Sequence, residues 1–221
     1  PFISLKTNRR GGIRAITLEE GDQLINVIRT QGNDNIILAT NQGMAICFNE
    51  NDVRPMGREA AGVRGIMLTG DDYVIGAEKA EAGKTLLTVT VNGFGKRTEM
   101  DEYLRTGPGG EKIPQGRGGK GVRGMATRDE DYVQDVFTAS THDFILFFTS
   151  TGRVYIKKGY TIPEAGRNAR GTNIVNILPI ETGEDSEITD SNSDAIRKLL
   201  RCGALCCDGS VLFNIDGSET H

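Results

Sequence analysis

A hairpin pattern that returns about every fifty to sixty residues constrains the fold of this 221-residue chain more than any other feature. Four stretches carry it: IILATNQGMAICF (36–48), LLTVTVNGFGKRT (86–98), ILFFTSTGRVYIK (145–157) and ALCCDGSVLFNI (204–215). Each is a β-rich run, a short polar turn with glycine and a second β-rich run, the pattern of two antiparallel strands. The turn glycines Gly43, Gly93, Gly152 and Gly209 lie 50, 59 and 57 residues apart. Asn92-Gly93 and Asp208-Gly209 predict two-residue type I′ turns, which need positive φ.

A second element recurs between the hairpins, as RRGGIRAI (9–16), GREAAGVRGI (57–66), GRGGKGVRGM (116–125) and GRNARGTNIV (166–175). After each comes an acidic turn: EGDQLINVI, GDDYVIGA, DEDYVQDVF and the weaker GEDSEITD. The order is constant, which sets repeats at about 9–56, 57–115, 116–165 and 166–221, with 1–8 (containing PFISLK) as a closing strand. Short strands at this period predict an all-β, bladed array forming one domain over 1–221. SDAIRKLLRCG (193–203) alone has helical spacing, with Ser193 and Gly203 placed as caps. A linker would not recur in phase with a hairpin, so the glycine-rich segments are structural or ligand-binding.

Net charge is −4, from 26 Lys and Arg against 30 Asp and Glu, but the charge is sorted along the chain. Residues 115–128 carry four cations and no acid, as do residues 6–14, whereas 181–194 carry six acids and no base. Glycine lets backbone approach a ligand, successive N–H groups can cradle an anion, and arginine offers phosphate a bidentate fork. In a circular array the loops share one rim, giving a ring of Arg10, Arg14, Arg58, Arg64, Arg117, Lys120, Arg123, Arg167 and Arg170. Such a rim suits duplex DNA held by its phosphates. The acidic turns are expected to keep the remaining surface solvated and confine DNA to one track. Phe144, Phe147 and Phe148 read as core, so single-strand stacking is not expected.

Cys47, Cys202, Cys206 and Cys207 form no CxxC pair, and the histidines are His142 and His221, so neither a metal nor a cofactor is expected. The cysteines read as small apolar residues of a reducing cytoplasm. His142-Asp143 has no nucleophile motif beside it and reads as a turn, and no phosphate-loop or dinucleotide fingerprint occurs. No apolar run reaches the roughly 20 residues of a membrane helix, and Pro1 opens no signal peptide.

QGRGGKG (115–121) resembles the gyrase A box, the basic glycine signature in the C-terminal domain of the DNA gyrase A subunit. Residues 33–66, 86–103 and 130–179 resemble blades of that domain as well. In the family the box lies in the first blade, whereas here two repeats resembling later blades precede it, with GPGGEKIP (107–114) at the junction and a divergent tail after Glu184. The blade order therefore looks permuted or truncated. The resemblance implies a β-pinwheel, a propeller-like array of four to five four-stranded blades of about 50 residues, that wraps DNA on a basic rim. It implies an accessory, non-catalytic domain supporting negative supercoiling by an ATP-dependent type IIA topoisomerase in the bacterial cytoplasm, at the nucleoid. Its expected partners are double-stranded DNA, the remainder of the gyrase A subunit, plus the gyrase B subunit. The box ligands would be Gln115, Arg117, Gly118, Gly119, Lys120 and Gly121, with Arg123, Arg58, Arg64, Arg10, Arg14, Arg167 and Arg170 on the rim loops. The alternative reading is a propeller-like scaffold whose basic rim holds an acidic partner protein.

Overall fold

A computed structural model describes residues 7–128, 130–148 and 154–178. The architecture is all-β, with short 3-10 turns as its helical elements among those residues. Strands β1 (Asn35–Thr40) and β2 (Met44–Asn49) form the first hairpin, and β4 (Thr85–Thr90) and β5 (Phe94–Glu99) the second. The third comprises β10 (Phe144–Phe148) and β11 (Val154–Lys158). Two further strands, β3 (Val74–Lys79) and β9 (Val133–Ala139), follow the acidic turns. Two-residue strands β8 (Val122–Arg123) and β12 (Thr172–Asn173) leave the glycine loops, and β6 (Arg105–Thr106) pairs with β7 (Lys112–Ile113).

The repeats interlock. One four-stranded sheet has the order β3-β1-β2-β8 and the other β12-β5-β4-β9. Each hairpin therefore receives the strand that follows the next acidic turn on one edge and the short strand from the glycine loop beyond that on the other. All these pairings are antiparallel, and the β1–β3 and β4–β9 contacts shift register at the equivalent place, between Ala39 and Thr40 and between Val89 and Thr90. An edge strand taken from another repeat removes an open edge that would otherwise invite foreign pairing.

Packing between blades explains the apolar density of the strands. All six residues of β4 are buried, because its sheet is covered on both faces. Leu86 joins Ile37, Ala45, Cys47, Met100 and Tyr103 on one side. On the other, Leu87 and Val89 join Ile145, Phe147, Ile162, Ile174 and Leu178. Each Leu, Ile, Val, Phe or Met among them that is removed from water contributes about 1.5–3 kcal/mol. Cys47 is buried and unpaired, and burial pushes its thiol up to about 11.

Three expectations are corrected. The Asn92-Gly93 turn is not type I′. Gly93 N–H donates to Thr90 O at 2.9 Å across a three-residue loop, and Gly93 (φ +81) is at positive φ while Asn92 is not. The first hairpin repeats this, with Gly43 N–H donating to Thr40 O and Gly43 at φ +82. This is a type I turn closed by a glycine bulge, which matches the strand twist equally well. It also places the Thr40 and Thr90 hydroxyls to accept from Met44 N–H and Phe94 N–H.

The acidic turns, secondly, are not merely solvating. Asp72 and Asp131 are 8% and 2% exposed. Asp72 accepts from Gln42 N–H, and Asp131 accepts from Asn92 N–H and the Thr90 hydroxyl, so each aspartate caps the preceding hairpin turn. Thirdly, Phe147 is core, but Phe144 and Phe148 are 44% and 40% exposed on the opposite face of their strand. Lys158 Nζ stands 3.3 Å over the Phe144 ring. The closing strand PFISLK, the acidic turn at 183–190, the helix at 193–203 and the hairpin at 204–215 lie outside the described residues.

Candidate nucleic-acid interface

The basic glycine loops are positioned by the hairpins they dock on. Gly121 (φ +71) turns the chain into β8, which pairs Val122 with Ala45 and Arg123 with Met44. A Cβ on Gly121 would fall 2.3 Å from Ala45 O. Gly171 (φ +85) is its counterpart, leading into β12, where a Cβ would fall 2.5 Å from Gly95 O. These two glycines serve packing. Gly116 has nothing within 4 Å of a built Cβ, and Gly119 only ordinary contacts at 3.6 and 3.8 Å, so packing does not explain glycine at either position.

Consecutive loops are tied to one another. Thr17 N–H and hydroxyl donate to Ala60 O and Glu59 O, and Arg58 Nη1 to Arg14 O, joining the first loop to the second. Gly118 N–H donates to Gly65 O at 2.7 Å and Met67 N–H to Gly119 O at 2.8 Å, joining the second to the third. Ala126 N–H reaches Ala169 O at 3.4 Å, linking the third to the fourth.

Within this series the cations divide into two groups. Arg117 is a strut, its Nε donating to Asp52 O at 3.0 Å and its Nη1 to Arg64 O. Arg170 lies with its guanidinium carbon 3.4 Å over the Phe94 ring and Nη2 3.7 Å from the Asp131 carboxylate. Gln115 is also committed, through N–H to Cys47 O and Nε2 to Tyr103 O. Arg58 uses one donor on Arg14 O, and Arg167 is half-buried with its N–H on Glu102 Oε2. By contrast the side chains of Arg10, Arg14, Arg64, Lys120 and Arg123, all exposed, donate to no protein group among the described residues.

Several grooves open along the loops, among them one of about 620 Å³ lined by Ala15, Ile16, Gly57, Ala60 and Gly62 beside Glu50 and Arg54. A second, of about 440 Å³, is lined by Arg9, Gly12, Ile13, Arg14, Arg58 and Glu59. Another, of about 410 Å³, is lined by Leu104, Arg105 and residues of the Gln115–Val122 segment, Lys120 among them. Among the described residues no three His, Cys, Asp or Glu side chains are grouped to hold a metal ion, and no helix is long and apolar enough to cross a membrane.

Two positioning residues, Lys96 and Arg97, were not expected from the sequence. Lys96 is fully buried, and its ammonium donates to Gly166 O and Arg167 O at 2.8 Å each, clamping the fourth loop from below. Burial lowers its pKa to about 8, against the opposing pull of Glu102. Arg97 Nε donates to Ile162 O. The signal was adjacent cations in the middle of a β-rich hairpin strand, where a charge must find partners or stay outside.

The sequence profile described as DNA gyrase C-terminal domain, beta-propeller, matches residues 4–31, 34–81, 84–113, 112–140 and 143–190. The DNA gyrase A subunit of Aminobacterium colombiense is 38% identical over 170 residues, covering 76% of this chain and 20% of that protein. Its Salmonella typhimurium equivalent is 36% identical over 180 residues, covering 81% and 19%. The chain thus spans about a fifth of these relatives' length. Among solved structures, a DNA gyrase A C-terminal domain superposes with TM-score 0.62 at 25% identity, over 74% of this chain and 54% of that one. The C-terminal domain of a DNA topoisomerase IV gives 0.67 at 24%, over 77% and 51%, a likeness of fold. Profile, relatives and interlocked sheets agree that the chain belongs to the DNA gyrase C-terminal domain family, a β-propeller architecture.

Proposed function

We propose that this chain binds duplex DNA along the series of basic glycine loops and bends it around the rim. The observation that supports this most is the succession of hydrogen bonds joining each loop to the next, from Thr17 to Ala169, with untied cations spaced along it. Lys120, Arg64, Arg123, Arg14 and Arg10 supply charge to phosphates, while Arg117, Arg170 and Gln115 chiefly hold the loops in place. Bare backbone at Gly116 and Gly119 permits close approach of the phosphodiester. Bending a short duplex costs about 1–6 kcal/mol, so several loops must act together. At the nucleoid, within the gyrase assembly, the domain would hold a wrapped segment for the cleavage core. That core is formed by the rest of the A subunit together with the B subunit, and strand passage through it then introduces negative supercoils.

The test is duplex affinity against salt, combined with the linking number of a plasmid closed in the protein's presence. Lys120→Ala with Arg64→Ala should flatten the log–log salt slope by about 0.9 for each phosphate ligand removed and reduce the trapped linking difference. A wild-type chain that binds DNA but leaves linking number unchanged would refute wrapping. Unaltered slope in the double variant would refute these residues as ligands.

A further inference from the structure

The segment GPGGEKIP (107–114) has no counterpart in the other repeats, and it folds as an additional small hairpin beside the 115–121 loop. Arg105 pairs with Ile113 and Thr106 with Lys112. Its turn is closed by Gly110 N–H on Gly107 O at 3.0 Å and Gly107 N–H on Glu111 O at 2.8 Å. Both ends are anchored: it leaves the chain after fully buried Tyr103 and rejoins it at Gln115, which bonds both Cys47 O and Tyr103 O.

Arg105, the first residue of the hairpin, and Lys120 both line the 410 Å³ groove. Arg105 is exposed, and its single hydrogen bond among the described residues, Nε to Pro114 O at 3.2 Å, leaves both terminal nitrogens for a ligand. Lys120 is exposed and has no partner among them. No carboxylate among the described residues lines the groove. Of the acids near in sequence, Glu102 accepts from Arg167 N–H, and Glu111 is folded back over its own hairpin, where a side chain on Gly107 or Gly109 would collide with its carboxylate. Two cations lining one groove with the backbone of Gly116, Gly119 and Gly121 present the charge and space that one phosphodiester needs.

We infer that Arg105 is a further phosphate ligand of the DNA path, gripping one backbone phosphate from the hairpin side while Lys120 holds it from the loop side. The inference rests on the DNA-binding reading and extends it to a residue outside the repeated loops. The contact is sequence-independent, because both groups address phosphate and not base edges.

Duplex affinity of the whole chain, measured by fluorescence anisotropy from about 50 to 200 mM salt on two unrelated sequences, decides it. Arg105→Gln should weaken both duplexes equally and reduce the salt slope by about 0.9, the share of a single phosphate. Arg105→Lys should restore the slope. Combining Arg105→Gln with Lys120→Gln should cost less than the two single losses together, since both act on one phosphate. An unchanged slope for Arg105→Gln alongside a reduced one for Lys120→Gln would overturn the inference and leave the DNA-binding reading standing. Absence of any duplex binding by the unmodified chain would overturn both. An unchanged urea midpoint checks that Arg105→Gln still folds, as expected for an exposed side chain.

Discussion

Gly121→Ala tests whether the last glycine of the box serves packing or ligand approach. At φ +71 an alanine sits in the left-handed region, costing roughly 1–2 kcal/mol. Its Cβ would also lie 2.3 Å from Ala45 O and 2.9 Å from Ala45 C. Ordinary contact needs separations of at least about 3.4 Å, so the loop must move outward by about 1 Å. Ala45 belongs to β2 in the middle of its sheet and cannot yield, so β8 is displaced and the Ala45–Val122 and Met44–Arg123 pairings are weakened. Hydrogen bonds there contribute about 1 kcal/mol each. Alanine's reduced freedom in the unfolded chain returns up to about 1 kcal/mol. The net expectation is a destabilisation of about 2–4 kcal/mol. The assay is urea unfolding followed by tyrosine fluorescence, the chain having no tryptophan. Gly116→Ala is the control, because its Cβ meets nothing within 4 Å, and it should fall within about 0.5 kcal/mol of wild type. Equal stability of the Gly121→Ala and Gly116→Ala variants would refute the packing role.

Two further outcomes concern buried ionisable groups. Burial raises the Asp135 carboxyl to about 6, and its Oδ2 has no hydrogen-bond partner. With the native pKa above the unfolded value of about 3.9, the native state binds more protons between those values, so this group's contribution falls as pH rises from about 4 to 6. Asp135→Asn should remove that slope and stabilise the protein at pH 7 by up to about 3 kcal/mol; parallel pH profiles from urea titrations would refute it. Lys96→Met should orphan Gly166 O and Arg167 O, costing about 1–3 kcal/mol, and speed hydrogen exchange in residues 166–171 ahead of the rest. The depressed native pKa gives the wild type a stability that rises from about pH 8 to 10.4, a slope the variant should lack.

The first three hairpins, the glycine turns at Gly43 and Gly93 and the family were legible in the chain, because strand alternation and turn chemistry are local; the turn at Gly152 and the hairpin at 204–215 lie outside the described residues. Even in the second hairpin, Asn92-Gly93 specified a turn but not its type, since the choice rests on Thr90 and on Asp131, which lies far along the chain. The exchange of strands between repeats was not legible. Which hairpin receives Val122–Arg123 depends on where a short segment lands in space, and two residues carry too little pattern to say. The same holds for the cations. Arg117 and Lys120 look alike in QGRGGKG, yet only tertiary neighbours decide that one guanidinium is spent on Asp52 O and Arg64 O while the ammonium faces an open groove. Composition and spacing determined that positive charge and bare backbone recur together. Which charges are free to meet a phosphate was decided by carbonyls and carboxylates brought in from distant parts of the chain, because a donor's partner is a matter of distance in space, which periodicity does not encode.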